Sequence, residues 1–377
     1  MPLPYTNRPK VLSGTLSKWF ALILMLFFLT ASKKAEATHA AGADLSYRCL
    51  GGLVYEITAT FYRDCGGTAE PGNMTIYYKS ASCSFNRTAV ANKIPGDNGT
   101  EITMPCATAP STCSGGNSPG IQKWVYRTVV TLPAACTDWV FSYRVCCRNC
   151  TVTTIQSPCS AGSEIYVEAK LNNIAAPQNN SPRFGNLPVA FVCLGQNFNY
   201  NQFAFDIDGD SVVTELITPK TSATGHVTFL PPYTSHAPLA SSTPFILDPV
   251  TGDINFTPSQ LQIGVLAIRA NEYRNGILIG STIRDIQVYT QSCFNALPTA
   301  TGINGSASFA ANACPGQPLC FNIQTADTDS LQITDAVVNS NIPGATITVG
   351  SGARPQINFC WTPTGADVRP APYQFTI

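Results

Sequence analysis

Histidine is scarce in this sequence, with only His39, His226 and His236 in 377 residues. That removes most imidazole chemistry, because histidine is the usual base for a serine nucleophile and the commonest nitrogen ligand for metals. Charge is thin too, with Asp, Glu, Lys and Arg together at 12% and a formal net charge of zero. Binding a phosphate backbone needs a basic surplus, so nucleic acid is excluded as a partner. Long apolar runs are nearly missing. The exception, "WFALILMLFFLTA" over Trp19–Ala31, rises only about 20 Å as a helix, short of a ~30 Å hydrocarbon core. Lys10 and Lys18 precede it, and "SKKAEA", ending at Ala37, follows it. Charged n-region, short h-region and small-residue cleavage site together read as a secretory signal over residues 1–37. No second run of spanning length occurs, so no stable membrane span is expected, and the mature chain is expected to be secreted or held at the cell surface. Helical periodicity is also missing beyond the signal.

Cysteine, in contrast, is abundant. Fifteen in an exported chain read as disulfides, and the odd number leaves one without a partner. Removing residues 1–37 takes five basic residues and one acidic residue from 22 of each, leaving 17 against 21 and a net charge of −4. Residues 38–190 form a cysteine-rich block of alternating segments. In "LVYEITATFY", Leu53, Tyr55, Ile57, Ala59 and Phe61 share one face, and "KWVYRTVVTL", "DWVFSYRV" and "EIYVEAKL" keep the same period of two. Short strands separated by Gly, Pro, Asn and Ser turns point to an all-β chain of tandem β-sandwiches.

The remainder looks duplicated. "CLGQNFNYNQFAFDIDGDSVV" begins at Cys193 and "CPGQPLCFNIQTADTDSLQI" at Cys314; later "GDINFTPSQ" is matched by "PQINFCWTPTG". Two anchors in the same order indicate two copies of one β module, over 191–291 and 292–377. Asn275-Gly276 in the first copy marks a hairpin turn. The second copy stops inside the equivalent strand and is expected to be truncated. Cys193 opens the first module and Cys293 follows its last strand, so these two are paired, as are Cys320 and Cys360, which occur in the second copy alone. Cys314 would then find its partner beyond Ile377, and the ten N-terminal cysteines pair among themselves.

"FDIDGDS" over 205–211 is the stretch richest in chemistry. As a hydrolase block, Gly209-Asp210-Ser211 would need a helix after the serine and a nearby histidine, whereas "VVTELI" reads as strand. As an ion site, Asp206, Asp208 and Asp210 alternate, so on an extended segment their carboxylates face one way and a divalent cation relieves their repulsion; calcium takes six to eight such oxygens. Gly209 permits the bend. A solvated Asx-turn is the competing reading. The second copy keeps Asp327 and Asp329 without the glycine. Cys147 and Cys150 have Cys-x-x-Cys spacing, but no second pair completes a zinc set, and structural disulfides fit an exported chain better. Cys146 and Cys147, as neighbours on a strand, are expected to face opposite ways and staple different partners. Tyr77, Tyr78, Trp124, Trp139 and Trp361 could stack on sugar rings or fill sandwich cores, and Trp361 is expected to pack on the disulfide of Cys360.

"HAAGADLSYRCLGGLVYEITATFYRDCGG" (39–67) and "WVFSYRVCCRN" (139–149) resemble the N-terminal region of large secreted Bacteroidota proteins of the gliding-motility-associated type, which the type IX secretion system sorts to the surface. "FDIDGDSVVTELITP" with "FILDPVTGDINFTP" is similar to cadherin-like and dystroglycan-type immunoglobulin modules, which implies immunoglobulin-like or cadherin-like sandwiches for both copies. That resemblance implies a calcium-binding role for Asp206, Asp208 and Asp210, with Ile207 where the family commonly has proline. It also implies attachment to an outer membrane through a C-terminal region beyond Ile377. Together these features lead to the expectation of a non-catalytic scaffold or adhesin that binds an extracellular protein or glycan surface. The alternative is an accessory carbohydrate-binding region of a larger secreted enzyme.

Overall fold

The computed structural model describes residues 40–102, 110–189 and 191–377. The signal-like segment and Cys106 lie outside the described residues. The chain is all-β: among the described residues the helical elements are three 3-10 turns, at Thr112–Ser114, Ile303–Gly305 and Gly365–Asp367. No helix among them is long and apolar enough to cross a membrane.

In chain order the strands that matter are β1 (Ala40–Gly51), β2 (Val54–Asp64), β3 (Asn73–Ser80), β4 (Phe85–Lys93), β5 (Ile121–Thr131), β6 (Trp139–Val145) and β7 (Ile165–Leu171). Then follow β8 (Arg183–Phe184), β9 (Phe198–Asn201), β10 (Ala204–Phe205), β11 (Ser211–Ile217), β12 (Asp253–Phe256), β13 (Gln262–Arg274) and β14 (Ile277–Gln291). The C-terminal region contributes β15 (Leu319–Ala326) and β16 (Gln356–Trp361).

Alternation in β2 does what its pattern requires. Tyr55, Ile57, Ala59 and Phe61 are buried, with Leu45 and Tyr47 of β1 and Trp124 and Tyr126 of β5 beside them in one core. Neighbouring strands run β1-β2-β5-β4-β3-β6-β7-β14-β13-β11, and β14 also pairs with β1. The pairing therefore passes from β1 around to β14 and back to β1, enclosing that core. Hydrogen bonding does not stop near residue 190: Gly42 faces Ile286, and Leu171 faces Gly280. Tertiary pairing across more than a hundred residues joins the cysteine-rich block to the hairpin of the first module.

That hairpin turns at Asn275-Gly276, both with positive φ (53° and 77°), the backbone that a two-residue turn demands. It is buried on both faces. Ala267 and Ile283 point into the cysteine-rich core, while Leu266, Ile268, Ile286 and Val288 point into a second core with Ile254 and Phe256 of β12. In both copies the strand after Cys-x-Gly-Gln pairs antiparallel with the Ile-Asn-Phe strand: Phe198 faces Phe256 in one, and Phe321 faces Phe359 in the other.

Cys193 is joined to Cys293 and Cys320 to Cys360. In the N-terminal block Cys65 joins Cys113, Cys83 joins Cys136, and Cys150 joins Cys159. Cys146 and Cys147 are bonded to each other rather than to different neighbours. Strand alternation does not reach them, because β6 ends at Val145. Among the described residues Cys49 and Cys314 are unpaired, and Cys106, the remaining cysteine of the N-terminal ten, lies outside the described residues. Trp361 also departs from expectation. Adjacent residues of β16 face opposite sides, so Trp361 turns into the C-terminal core while Cys360 lies on the exposed face.

Two ion pairs tie the hairpin to the block. Arg148 Nη1 and Nη2 donate to the two carboxylate oxygens of Asp285 at 2.7 and 2.6 Å, with both side chains essentially inaccessible. Arg284 donates from Nε and Nη2 to Asp44 at 3.0 and 2.8 Å. Removing one partner of a buried pair strands the other charge. Asp285→Ala is therefore expected to cost about 3–5 kcal/mol, whereas replacing both Arg148 and Asp285 by apolar residues of similar volume costs far less. Denaturant midpoints at constant slope measure both; equal losses for the single and double variants would refute the stranded-charge account.

Candidate metal centre

The loop between β10 and β11 carries the acidic stretch. Phe205, the last residue of β10, pairs with Arg183 of β8, and Ser211 opens β11 opposite Tyr273 of β13. Five residues must turn between these strands, and Gly209, at φ 86°, supplies a conformation that side-chain-bearing residues seldom adopt. An added Cβ there would meet Arg369 Nη1 at 3.3 Å.

Asp206, Asp208 and Asp210 converge, and a fourth carboxylate, Glu272 of β13, joins them. One ligand oxygen from each lies within 4.8 Å of all the others. Among the described residues this is the one group of three or more His, Cys, Asp or Glu side chains so arranged. Neighbouring side chains hold three of the four. Asn180 donates its backbone N–H and Nδ2 to Asp208 at 2.8 and 2.7 Å. Arg274 grips Asp210 from Nε and Nη2 at 2.8 and 2.6 Å. Asn179 Nδ2 donates to Glu272 Oε2 at 2.9 Å, and Asp206 Oδ1 accepts the N–H of Asp210 at 3.0 Å.

Two oxygens are left over. Asp206 Oδ2 and Glu272 Oε1 are shielded from solvent without a hydrogen-bond partner, on side chains of residues only 4% and 0% exposed. Burial raises Asp206 to about 6, and the charges of Asp208 and Asp210 add to the rise. Burial, then repulsion from Asp206, raises Glu272 to about 10. The hydrogen bond to Asp210, followed by attraction to Asp210 and Asp208, raises Arg274. One guanidinium faces four carboxyl groups, and without a cation Glu272 keeps its proton at neutral pH. The donors are all oxygens, which suits a hard divalent ion and not a thiolate- or imidazole-seeking one.

Glu272 escaped the sequence analysis because it lies far from the Asp stretch in the chain. Its signal was there to read: it is the one acidic residue of β13, "QIGVLAIRANEYR", and follows the apolar run Val265–Ile268. A bulge between Glu272 and Tyr273 accompanies its placement; bulges commonly re-aim side chains beside functional sites.

The second copy lacks such a cluster. Asp327 Oδ1 accepts the N–H of Asp329 at 2.8 Å, and Arg354 Nη2 donates to the backbone oxygens of both residues at 3.1 and 2.8 Å. Ser211 begins a strand and not a helix. His226 bridges to Lys220, His236 lies beside Ser235, and His39 is outside the described residues. Of the aromatic candidates, Tyr78, Trp124, Trp139 and Trp361 are buried, while Tyr77 is 41% exposed.

The raised carboxyl groups make the metal-free chain pH-sensitive. A carboxyl whose folded pKa exceeds its unfolded value binds more protons when folded. Its stabilisation is complete below the ordinary glutamate range and is lost as pH rises toward about 10 for Glu272. With a chelator present, the thermal midpoint of the parent is expected to fall relative to that of Glu272→Gln between about pH 5 and pH 9. Parallel curves for the two proteins would show that Glu272 carries no such shift.

No protein-family model matches this chain, and no curated protein matches it.

Proposed function

We propose that the chain is a non-catalytic, exported β scaffold that works at or beyond the cell surface as an adhesin. Its modules are stapled by disulfides and stiffened by a calcium ion at Asp206, Asp208, Asp210 and Glu272. The observation that carries this reading is the pair of buried, donor-less oxygens on Asp206 and Glu272, set among four converging carboxylates. Leaving such groups charged and unpaired is costly, and a divalent cation compensates them directly. Calcium suits the site better than magnesium, since it accepts irregular all-oxygen shells, whereas magnesium keeps several waters.

Six disulfides among the described residues belong to an oxidising compartment. Cys193–Cys293 closes the first module at its two ends, 100 residues apart. A stapled, ion-stiffened β array presents loops and sheet edges in fixed orientation, which is the physical requirement of a binding scaffold. The carbohydrate-binding alternative rested on exposed aromatic platforms, and Tyr77 alone of those residues offers one.

Thermal unfolding of residues 38–377 in calcium and in chelator tests the ion. At a hundredfold excess over Kd, binding to the folded state adds about 2.7 kcal/mol, a rise of several degrees for a chain of this size. Asp206→Asn is expected to abolish that rise. A midpoint unmoved by about 5 mM calcium, beyond the weak range of extracellular modules, would remove the ion from the proposal.

A further inference from the structure

Pleating gives β1, β2 and β5 two unlike faces. Leu45, Tyr47, Tyr55, Ile57, Trp124 and Tyr126 fill the core. The opposite face carries Asp44, Ser46 and Arg48 of β1, Glu56, Thr58 and Thr60 of β2, and Lys123 and Arg127 of β5. The register sets Arg48 opposite Glu56 and Thr58 opposite Arg127. The segment from Pro182 to Leu187 closes over this face, leaving a cleft of about 300 Å³. That volume is at the small end for ligand pockets.

Five cations line the cleft, and two of them are neutralised within it. Arg284 is held by Asp44, and Arg48 meets Glu56 at 3.3 Å. Lys123, Arg127 and Arg183 remain, and none is in an ion pair among the described residues. Arg183 Nε is shielded from solvent and makes no hydrogen bond. Burial first, and then the charge of Arg48, makes its guanidinium easier to deprotonate than usual, with attraction to Asp206 and Glu56 offsetting part of the effect. A chain with an acidic surplus beyond residue 37 thus gathers three cations outside any ion pair into one cleft.

We propose that this cleft is an anion site for a phosphate or sulfate ester of about monosaccharide size. Three separate donors, two of them guanidinium forks, match the three terminal oxygens of a tetrahedral ester better than the two of a carboxylate. Ser46 and Thr58 place hydroxyl groups in the same lining, where sugar hydroxyls would find partners. The proposal gives the scaffold reading a ligand class and rests on that reading for its biological role. The binding itself does not depend on calcium.

Isothermal titration of residues 38–377, in chelator and at low salt, tests the site independently of the ion. The probes are glucose 6-phosphate, glucose 6-sulfate, glucuronate, inorganic phosphate, inorganic sulfate and glucose. One or both esters are expected to bind more tightly than the free ions and glucuronate, with glucose silent; the tighter ester identifies the source. Arg183→Gln, and separately the double change Lys123→Gln with Arg127→Gln, are each expected to weaken binding about tenfold or more. The double variant alters the polar face and leaves the core intact, so it decides the matter even where Arg183→Gln fails to fold. No heat from either ester at about 10 mM, binding unchanged in the double variant, or glucuronate binding as tightly as the esters would each overturn the proposal.

Discussion

The hairpin β13–β14 constrains everything around it, because it is the shared wall of two cores. Ordinary antiparallel strands wet one face and bury the other. This hairpin buries both, with Ile283 on one side and Ile286 and Val288 on the other. Any charged residue it carries must therefore find its compensation inside the protein. Arg284 and Asp285, adjacent and pointing opposite ways, each do so, with Asp44 and Arg148. These ties give the docking of block and hairpin a direction and register that apolar contact alone does not specify.

Glu272 obeys the same constraint with a different outcome. It lies on the same hairpin, fully buried, but its neighbours are the carboxylates of the Asp loop, and the nearby Arg274 is committed to Asp210. Only a proton or an external cation can neutralise it. Asn179 and Asn180 already fix Glu272 and Asp208, so the oxygens are positioned before any ion arrives. This preorganisation lowers the ordering cost of binding.

Local pattern in the sequence reached the faces of β2, the Asn275-Gly276 turn and the acidic loop, because each depends on residues a few positions apart. It reached Cys193–Cys293 from the two ends of the first module, and Cys320–Cys360 from their presence in the second copy alone. It did not reach the pairing of β1 with β14 or the arrival of Glu272, which arise only when distant segments meet. Cys146–Cys147 and Trp361 were misjudged for opposite reasons. Alternation was applied to Cys146 and Cys147 just beyond the strand end, and was not applied to Trp361 within a strand.

The two copies show how a similar acidic stretch can be completed in two ways. In the second, the chain supplies the cation itself: Arg354 reaches into the turn and binds the backbone oxygens of Asp327 and Asp329. With two carboxylates against one resident guanidinium, that turn carries an excess of a single negative charge. In the first copy the resident guanidinium, Arg274, meets four carboxyl groups instead of two and leaves buried oxygens on Asp206 and Glu272 unanswered. That difference in charge balance is why the calcium proposal attaches to the first copy alone.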